Sequence, residues 1–197
     1  MEEKKLSGHL ILLMAPSGSG KRMLIDSLGE VRQKLYFAKT LTTRTPRTKG
    51  AENPLYTFIS KEEFQALIDQ DALVEWAEYS GNYYGTPRHE VFDHMAAGEV
   101  VFKEMELQGV EKMREQVPQS NLTVIYVDAG SWDALERRIR ARSPITEEEL
   151  ALRHRRYEVE VTAKEKADII IENFDGQLET AQAEFHRLIE QIVTHVQ

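Results

Sequence analysis

Apolar residues fall along this chain in two rhythms. Short continuous runs at Leu10–Met14, Tyr36–Leu41, Leu73–Tyr79, Val100–Met105, Leu122–Val127 and Ile169–Ile171 read as strands. Helical segments lie between them. Leu135, Ile139 and Arg142 keep a helical period after Ser131, and Leu178–Val196 reads as a long amphipathic helix. Ser60-Lys61-Glu62-Glu63 and Thr146-Glu147-Glu148-Glu149 each set a hydroxyl three residues before a carboxylate, the spacing of a reciprocal helix cap, so helices are expected to open there. Strands alternating with helices and glycine turns predict a mostly parallel sheet covered by helices. The stretch Thr42–Gly85 breaks that rhythm with short strands and turns, among them Gly81-Asn82, and predicts a small antiparallel insertion.

Composition narrows the class. A chain of 197 residues fits one domain, or one core domain with insertions, and is long enough to bury a sizeable core. No run approaches the roughly 18 apolar residues of a membrane span, and Met1-Glu2-Glu3-Lys4-Lys5 lacks the apolar centre of a signal peptide, so no membrane partner is expected. With no cysteine, disulfides and thiolate metal sites are excluded and a cytoplasmic address is the expectation. The net charge of −8 argues against general nucleic-acid binding. It leaves room for local basic clusters, and the chain has two.

The most informative stretch is Ala15-Pro16-Ser17-Gly18-Ser19-Gly20-Lys21-Arg22, which follows the first apolar run directly. A strand entering a glycine-rich turn and then a helix turns backbone N–H groups toward a polyphosphate, and the lysine adds a mobile cation near the β- and γ-phosphates. Two positions differ from the pattern GxxxxGK[ST]: Ala15 replaces the first glycine, and Arg22 replaces the hydroxyl that normally contacts Mg²⁺. Arginine offers no lone pair and cannot stand in as a ligand. The first basic cluster is Arg44 and Arg47, in a loop stiffened by Pro46. Two guanidinium forks suit a phosphate, although a solvated basic turn accounts for them equally well when they are taken alone. Tyr56 and the segment Gly81-Asn82-Tyr83-Tyr84-Gly85-Thr86 add phenol and hydroxyl donors. The second cluster is Arg137, Arg138, Arg140 and Arg142, followed across Ser143-Pro144 by Arg153, Arg155 and Arg156. A charged outer helix face accounts for Arg137 and Arg140.

Taken in order, these segments resemble the guanylate kinase family from about Leu10 to the last helix. Besides those quoted, the resemblance is carried by Tyr56-Thr57-Phe58-Ile59-Ser60-Lys61-Glu62-Glu63-Phe64, Glu75-Trp76-Ala77, Gln108-Gly109-Val110 and Glu136–Arg142. It implies an α/β fold: a P-loop NTPase core whose parallel sheet is flanked by helices, a small mixed or antiparallel GMP-binding insertion, and a helical lid. The whole of 1–197 would form a single domain, with core segments 8–41 and 88–197, the insertion at about 42–87 and the lid at about 138–156. The implied reaction is phosphoryl transfer from ATP to GMP, giving ADP and GDP, with Mg²⁺ bridging the donor phosphates. Ser17, Gly18, Ser19, Gly20, Lys21 and Asn173 would bind ATP. Thr40, Arg44, Arg47, Tyr56, Glu75, Tyr84, Thr86, Glu104 and Glu106 would bind GMP. Lys21, Arg44, Arg138, Arg142 and Arg153 would be the catalytic set. The guanine assignment makes chemical sense: a carboxylate such as Glu75 suits the donors at N1 and N2, and hydroxyls suit the acceptors at O6 and N7. Adenine would set an acceptor against the same carboxylate, a mismatch that discriminates strongly.

The chain also departs from the family at sites that bear on activity. Lys103-Glu104-Met105-Glu106 stands where the family has Leu-Asp-Ile-Asp, so a lysine enters a central strand. An unpaired buried lysine is costly. Lys103 therefore snorkels, pairs with a carboxylate, or marks a changed pocket. Strand alternation would put Glu104 and Glu106 on one face. Gly50 and Leu55 occupy places where the family carries acids, with Glu52 a shifted replacement, and Ala15 would tighten a turn usually made by glycine. Two other readings follow. One is a catalytically impaired module binding GMP or a phosphorylated partner through Arg44, Arg47, Tyr56 and Tyr84. The other is a kinase for a different phosphorylated acceptor such as a ribose phosphate, against which Glu75 and Thr86 speak.

Overall fold

The computed structural model describes residues 6–46, 54–79 and 81–196. Its first strand, β1 (His9–Met14), shows why the core is built as it is. Leu10 to Met14 are all at most 2% exposed, so both faces of the strand are covered. Alternation splits them: Leu10, Leu12 and Met14 enter one apolar cluster, and Ile11 and Leu13 enter another on the opposite face.

Five strands make the parallel sheet. In spatial order they are β2 (Leu35–Phe37), β7 (Val100–Glu104), β1, β8 (Leu122–Asp128) and β9 (Ile169–Glu172). On one face, α3 (Arg88–Ala96) contributes Val91 and Met95, and α4 (Leu107–Gln116) contributes Val110 and Met113. On the other face, α1 (Lys21–Asp26) contributes Leu24 and Ile25. The long helix α7 (Leu178–Val196) adds Ala181, Phe185, Ile189 and Val193 there, at successive four-residue steps along one stripe. Parallel strands direct all their carboxyl ends to one edge, the usual ligand crevice of an open α/β sheet. Ala15, Met105, Ala129 and Asn173 begin the loops at that edge.

A second sheet, ordered β4 (Tyr56–Phe58), β3 (Thr40–Thr42), β6 (Asn82–Pro87) and β5 (Leu73–Tyr79), forms the insertion. It is mixed: β3 runs parallel to β4, while β6 runs antiparallel to both β3 and β5. Helix α2 (Lys61–Asp69) starts at a complete reciprocal cap between Ser60 and Glu63. The Thr146 hydroxyl likewise accepts from the Glu149 N–H at the start of α6 (Glu147–Glu160), opposite α5 (Trp132–Arg142).

Three local expectations change. The run Tyr36–Leu41 is two strands in different sheets, because Ala38 and Lys39 carry the chain across. Glu90 on α3 holds this crossing, accepting from the Tyr36 hydroxyl at 2.6 Å and the Lys39 N–H at 2.8 Å. The second sheet therefore begins at Thr40, inside the stretch expected for the core. The strand expected at Val100–Met105 ends at Glu104, and Glu106 caps α4. Ala15 produces no strain, since Asp71 is the non-glycine residue with positive φ among those described.

The packing of α7 yields a stability prediction. Phe185 is fully buried and meets the Phe102 ring edge-on at 6.4 Å. Phe185→Ala is expected to lower the unfolding free energy by about 3–5 kcal/mol in urea titration; a loss under about 1 kcal/mol would contradict this account of the core.

Candidate active site

The loop after β1 is shaped by two glycines with φ of +90°, Gly18 and Gly20. Each is also crowded. A Cβ on Gly20 would come within 2.5 Å of the Asn173 Nδ2, and one on Gly18 within 3.0 Å of the Ile139 side chain. Asn173, buried at the end of β9, donates from that Nδ2 to the Ser19 carbonyl at 2.7 Å. Lys21 folds back over the loop, donating to the Ala15 carbonyl at 2.6 Å. Burial pushes its ammonium below the usual lysine range, and the charges of Glu104, Glu160 and Glu106 pull the other way. Ser19 Oγ is buried without a hydrogen-bond partner among the described residues. Ser17, Gly18, Ser19, Gly20 and Lys21 line a cavity of about 910 Å³ with Asn173, Arg138, Arg142 and Glu104.

The expected lid arginines divide by partner. Arg153 reaches the loop, with Nη1 3.0 Å from Ser17 Oγ and Nη2 2.6 Å from Glu149. Arg138 donates to the Asn173 carbonyl and to Asp175, each at 2.9 Å. Arg142 is an exposed member of the cavity wall. Arg137 pairs with Asp175, and Arg140 pairs with Glu136 and Glu147, in the solvated manner expected of an outer face. Across the opening, the Arg156 guanidinium lies 4.0 Å from the centre of the Tyr79 ring and joins α6 to β5.

On the insertion, register brings the expected acceptor residues together. Glu75 pairs with Thr86 across β5 and β6, and the buried Thr86 hydroxyl donates to Glu75 Oε1 at 2.6 Å. Gly109 at the start of α4 lets the Glu75 side chain approach; a Cβ there would sit 3.3 Å from Glu75 Cγ. Tyr84 lies opposite Thr42, and its ring meets that of Tyr56 edge-on at 6.5 Å. Arg44 stacks over Phe58 with its Cζ 5.7 Å from the ring centre. Its Nη1 is buried with no hydrogen-bond partner among the described residues. Arg47, Gly50 and Glu52 lie outside the described residues. Thr40 and Tyr56 line a second cavity of about 110 Å³, whose wall includes Lys103 and Glu104. Glu104 thus borders both cavities. Glu106 is exposed at the cap of α4 and acts on Lys21 through its charge.

Lys103 does not snorkel, and it forms no ion pair among the described residues. It is 5% exposed, and its Nζ donates to Thr40 Oγ1 at 2.8 Å, the Lys39 carbonyl at 3.2 Å and the Ala38 carbonyl at 3.3 Å. Burial pushes its pKa down to about 8, while Glu75, Glu90 and Glu104 act upward. Sequence reasoning also missed Asp175 and Glu160. Asp175 anchors two arginines, and Glu160 takes a backbone hydrogen bond from Ser17 while burial raises its pKa. The turn Asp175-Gly176 was a visible signal for a loop at the strand end. Nothing in the pattern around Glu160 set it apart from the other carboxylates of its helix.

The Asn173 bond should govern the loop. Removing the amide leaves the Ser19 carbonyl without that partner, a penalty of about 1–3 kcal/mol. Asn173→Ala is expected to weaken binding of a fluorescent nucleoside triphosphate about tenfold. Unchanged affinity would show that the loop holds its shape alone.

Known proteins resemble this chain in sequence and in fold. The family model described as guanylate kinase matches residues 7–192. A guanylate kinase from Synechococcus sp. (strain JA-3-3Ab) is 40% identical over 182 residues, covering 92% of this chain and 82% of that protein. Another from Nostoc sp. (strain PCC 7120) is 40% identical over 174 residues, covering 88% and 86%. The crystal structure of guanylate kinase from Anaplasma phagocytophilum superposes with a TM-score of 0.67 at 24% identity, over 93% of this chain and 85% of that one, and shares the fold. With a family match spanning both sheets and the helical arms, the chain belongs to the guanylate kinase family.

Proposed function

We propose that this protein transfers the γ-phosphoryl group of ATP to the phosphate of GMP, giving ADP and GDP. The observation that carries the reading is the Glu75–Thr86 pair, bonded at 2.6 Å on the small sheet, together with Arg44 in the loop two residues past β3, whose buried Nη1 has no partner among the described residues. Thr86 takes one site on the carboxylate, and a carboxylate has capacity left for the two donors on guanine's N1–N2 edge. Arg44, with Arg47, Tyr56 and Tyr84, would hold the acceptor phosphate. That phosphate is anionic at neutral pH, so the attacking oxygen needs no general base.

On the donor side the loop amides and Lys21 would bind the β- and γ-phosphates, with Asn173 shaping the loop beneath them. Arg138, Arg142 and Arg153 would neutralise charge developing on the transferred group, the main requirement of phosphoryl transfer. Arg138 and Arg153 now hold Asp175 and Glu149, so nucleotide binding would exchange those partners for phosphate oxygens.

Among the described residues no cluster of three or more His, Cys, Asp or Glu is gathered for a metal ion. Arg22 is no ligand; its side chain is 92% exposed and pairs with Asp26 at 3.4 Å. Mg²⁺ commonly takes one or two carboxylates, with substrate phosphates and waters completing its shell. Glu104, a hard carboxylate on the wall of the phosphate cavity, fits that need. Bound there with ATP, Mg²⁺ would neutralise phosphate charge. The two residues that favour a non-catalytic module therefore have local explanations: Arg22 lies at the surface, and Lys103 is fully hydrogen-bonded.

A coupled ADP-release assay with ATP and Mg²⁺ tests the reading, comparing GMP with AMP and CMP as acceptors. Turnover should depend on GMP, with kcat/KM at least about 100-fold lower for AMP. Arg44→Ala should raise KM for GMP about tenfold or more. Absence of turnover with every acceptor, alongside measurable GMP binding, would favour the binding module.

A further inference from the structure

The resemblance assigns two threonines, Thr40 and Thr86, to the guanine site; they flank the paired residues Leu41 and Gly85 of β3 and β6, and the hydrogen bonds already made leave them different roles. A hydroxyl has one proton to donate. Thr86 has committed its proton to Glu75 Oε1, so toward a base it can only accept. Thr40 is the opposite case. Its Oγ1 receives a hydrogen bond from the Lys103 ammonium at 2.8 Å, which turns the hydroxyl proton away from Lys103. Thr40 also borders the small cavity beside Tyr56 and Glu104.

Lys103 is well fixed for this task. Its other two N–H groups meet the carbonyls of Ala38 and Lys39, the residues that carry the chain from one sheet to the other. The lysine comes from β7 of the core sheet, and Thr40 begins β3 of the insertion. A single buried cation thus sets both where β3 starts and which way its first hydroxyl points. Guanine and adenine share the N7 acceptor and differ at C6, where guanine presents a carbonyl and adenine an amino group. A hydroxyl held as a donor therefore discriminates only through the oxygen at position 6.

We infer that Lys103 is a positioning residue for base selection: it fixes the Thr40 hydroxyl as a donor to the 6-carbonyl of the acceptor purine. The inference rests on the guanylate kinase reading given above. Lys103 touches neither reacting phosphate; it acts through Thr40.

A cycle of protein and ligand changes tests it. Binding of GMP and of 2-aminopurine riboside 5′-monophosphate is measured by calorimetry for the natural chain and for Lys103→Met. The analogue lacks the 6-oxygen and carries an acceptor in place of the N1 donor; the second difference, which faces Glu75, is common to both chains and cancels in the cycle. The natural chain should prefer GMP, and Lys103→Met should shrink that preference about tenfold, almost wholly by weakening GMP. In the coupled assay KM for ATP should stay within about twofold. Lys103→Gln is the second variant, should the methionine form fail to fold. Its neutral amide ends one bond short of the ammonium position and has two N–H donors for the three acceptors, so it should hold the Thr40 hydroxyl less firmly and shrink the same preference. Equal weakening of both ligands, or none, overturns the role of Lys103 while leaving the kinase reading intact. A natural chain that binds neither nucleotide removes the kinase reading itself, and this inference with it.

Discussion

The side-chain amide of Asn173 occupies space that exists only because residue 20 has no Cβ. That close fit is the constraint on which the glycine-rich loop, the proposed donor half of the site, depends. The amide bonds the Ser19 carbonyl, the Asn173 backbone carbonyl receives Arg138, and Arg138 in turn shares Asp175 with Arg137. Three segments distant in sequence are joined in this way: the loop after β1, the helix α5, and the stretch from the end of β9 to the turn before α7. The left-handed glycines make the turn possible, and the amide makes it the turn that persists. Because parallel strands end at one edge, these groups meet without any long connection.

The acceptor half depends on a different joint. The chain leaves the core sheet at Ala38 and enters the second sheet at Thr40, and two buried polar side chains hold that step from opposite sides. Glu90 receives the Lys39 N–H, and Lys103 donates to the carbonyls. Buried polar groups are tolerated when fully hydrogen-bonded and then favour one arrangement over its neighbours. Glu104, next along β7, borders the cavities on both sides of this joint. On the proposed function, Glu104 would therefore stand between donor and acceptor, as in-line transfer between two phosphates requires. Across the opening, Arg156 on Tyr79 already links the α6 arm to the insertion.

Much of this was legible in the chain, for identifiable reasons. The glycine-rich loop is readable because backbone conformation dictates residue type there, and the parallel sheet because its strands are apolar on both faces. The resemblance implied that Glu75 and Thr86 line one pocket, while their hydrogen bond to each other comes from the register of β5 and β6 and was not foreseen. The division of Tyr36–Leu41 was hidden because both halves look like strand; what separates them is a carboxylate on α3, 51 residues from Lys39. Lys103 was undecidable for the same reason, since its partners are backbone atoms and a hydroxyl 63 to 65 residues earlier in the chain. Asp175 could not be matched to its arginines, because a turn carboxylate shows nothing locally of the helix that will face it. Long-range polar pairing leaves no periodicity to read.

The central claim is that the proposed donor and acceptor sites serve one reaction point rather than two independent ligands. Calorimetric binding of an analogue with adenosine and guanosine joined by a polyphosphate bridge tests this most directly, against ATP and GMP measured separately. If both halves engage at once, the linked ligand gains from the high effective concentration of its second half and should bind at least about 100-fold more tightly than the better single nucleotide. An analogue that binds no more tightly than that nucleotide would mean that the two proposed sites do not face a common phosphate position, and would contradict the account.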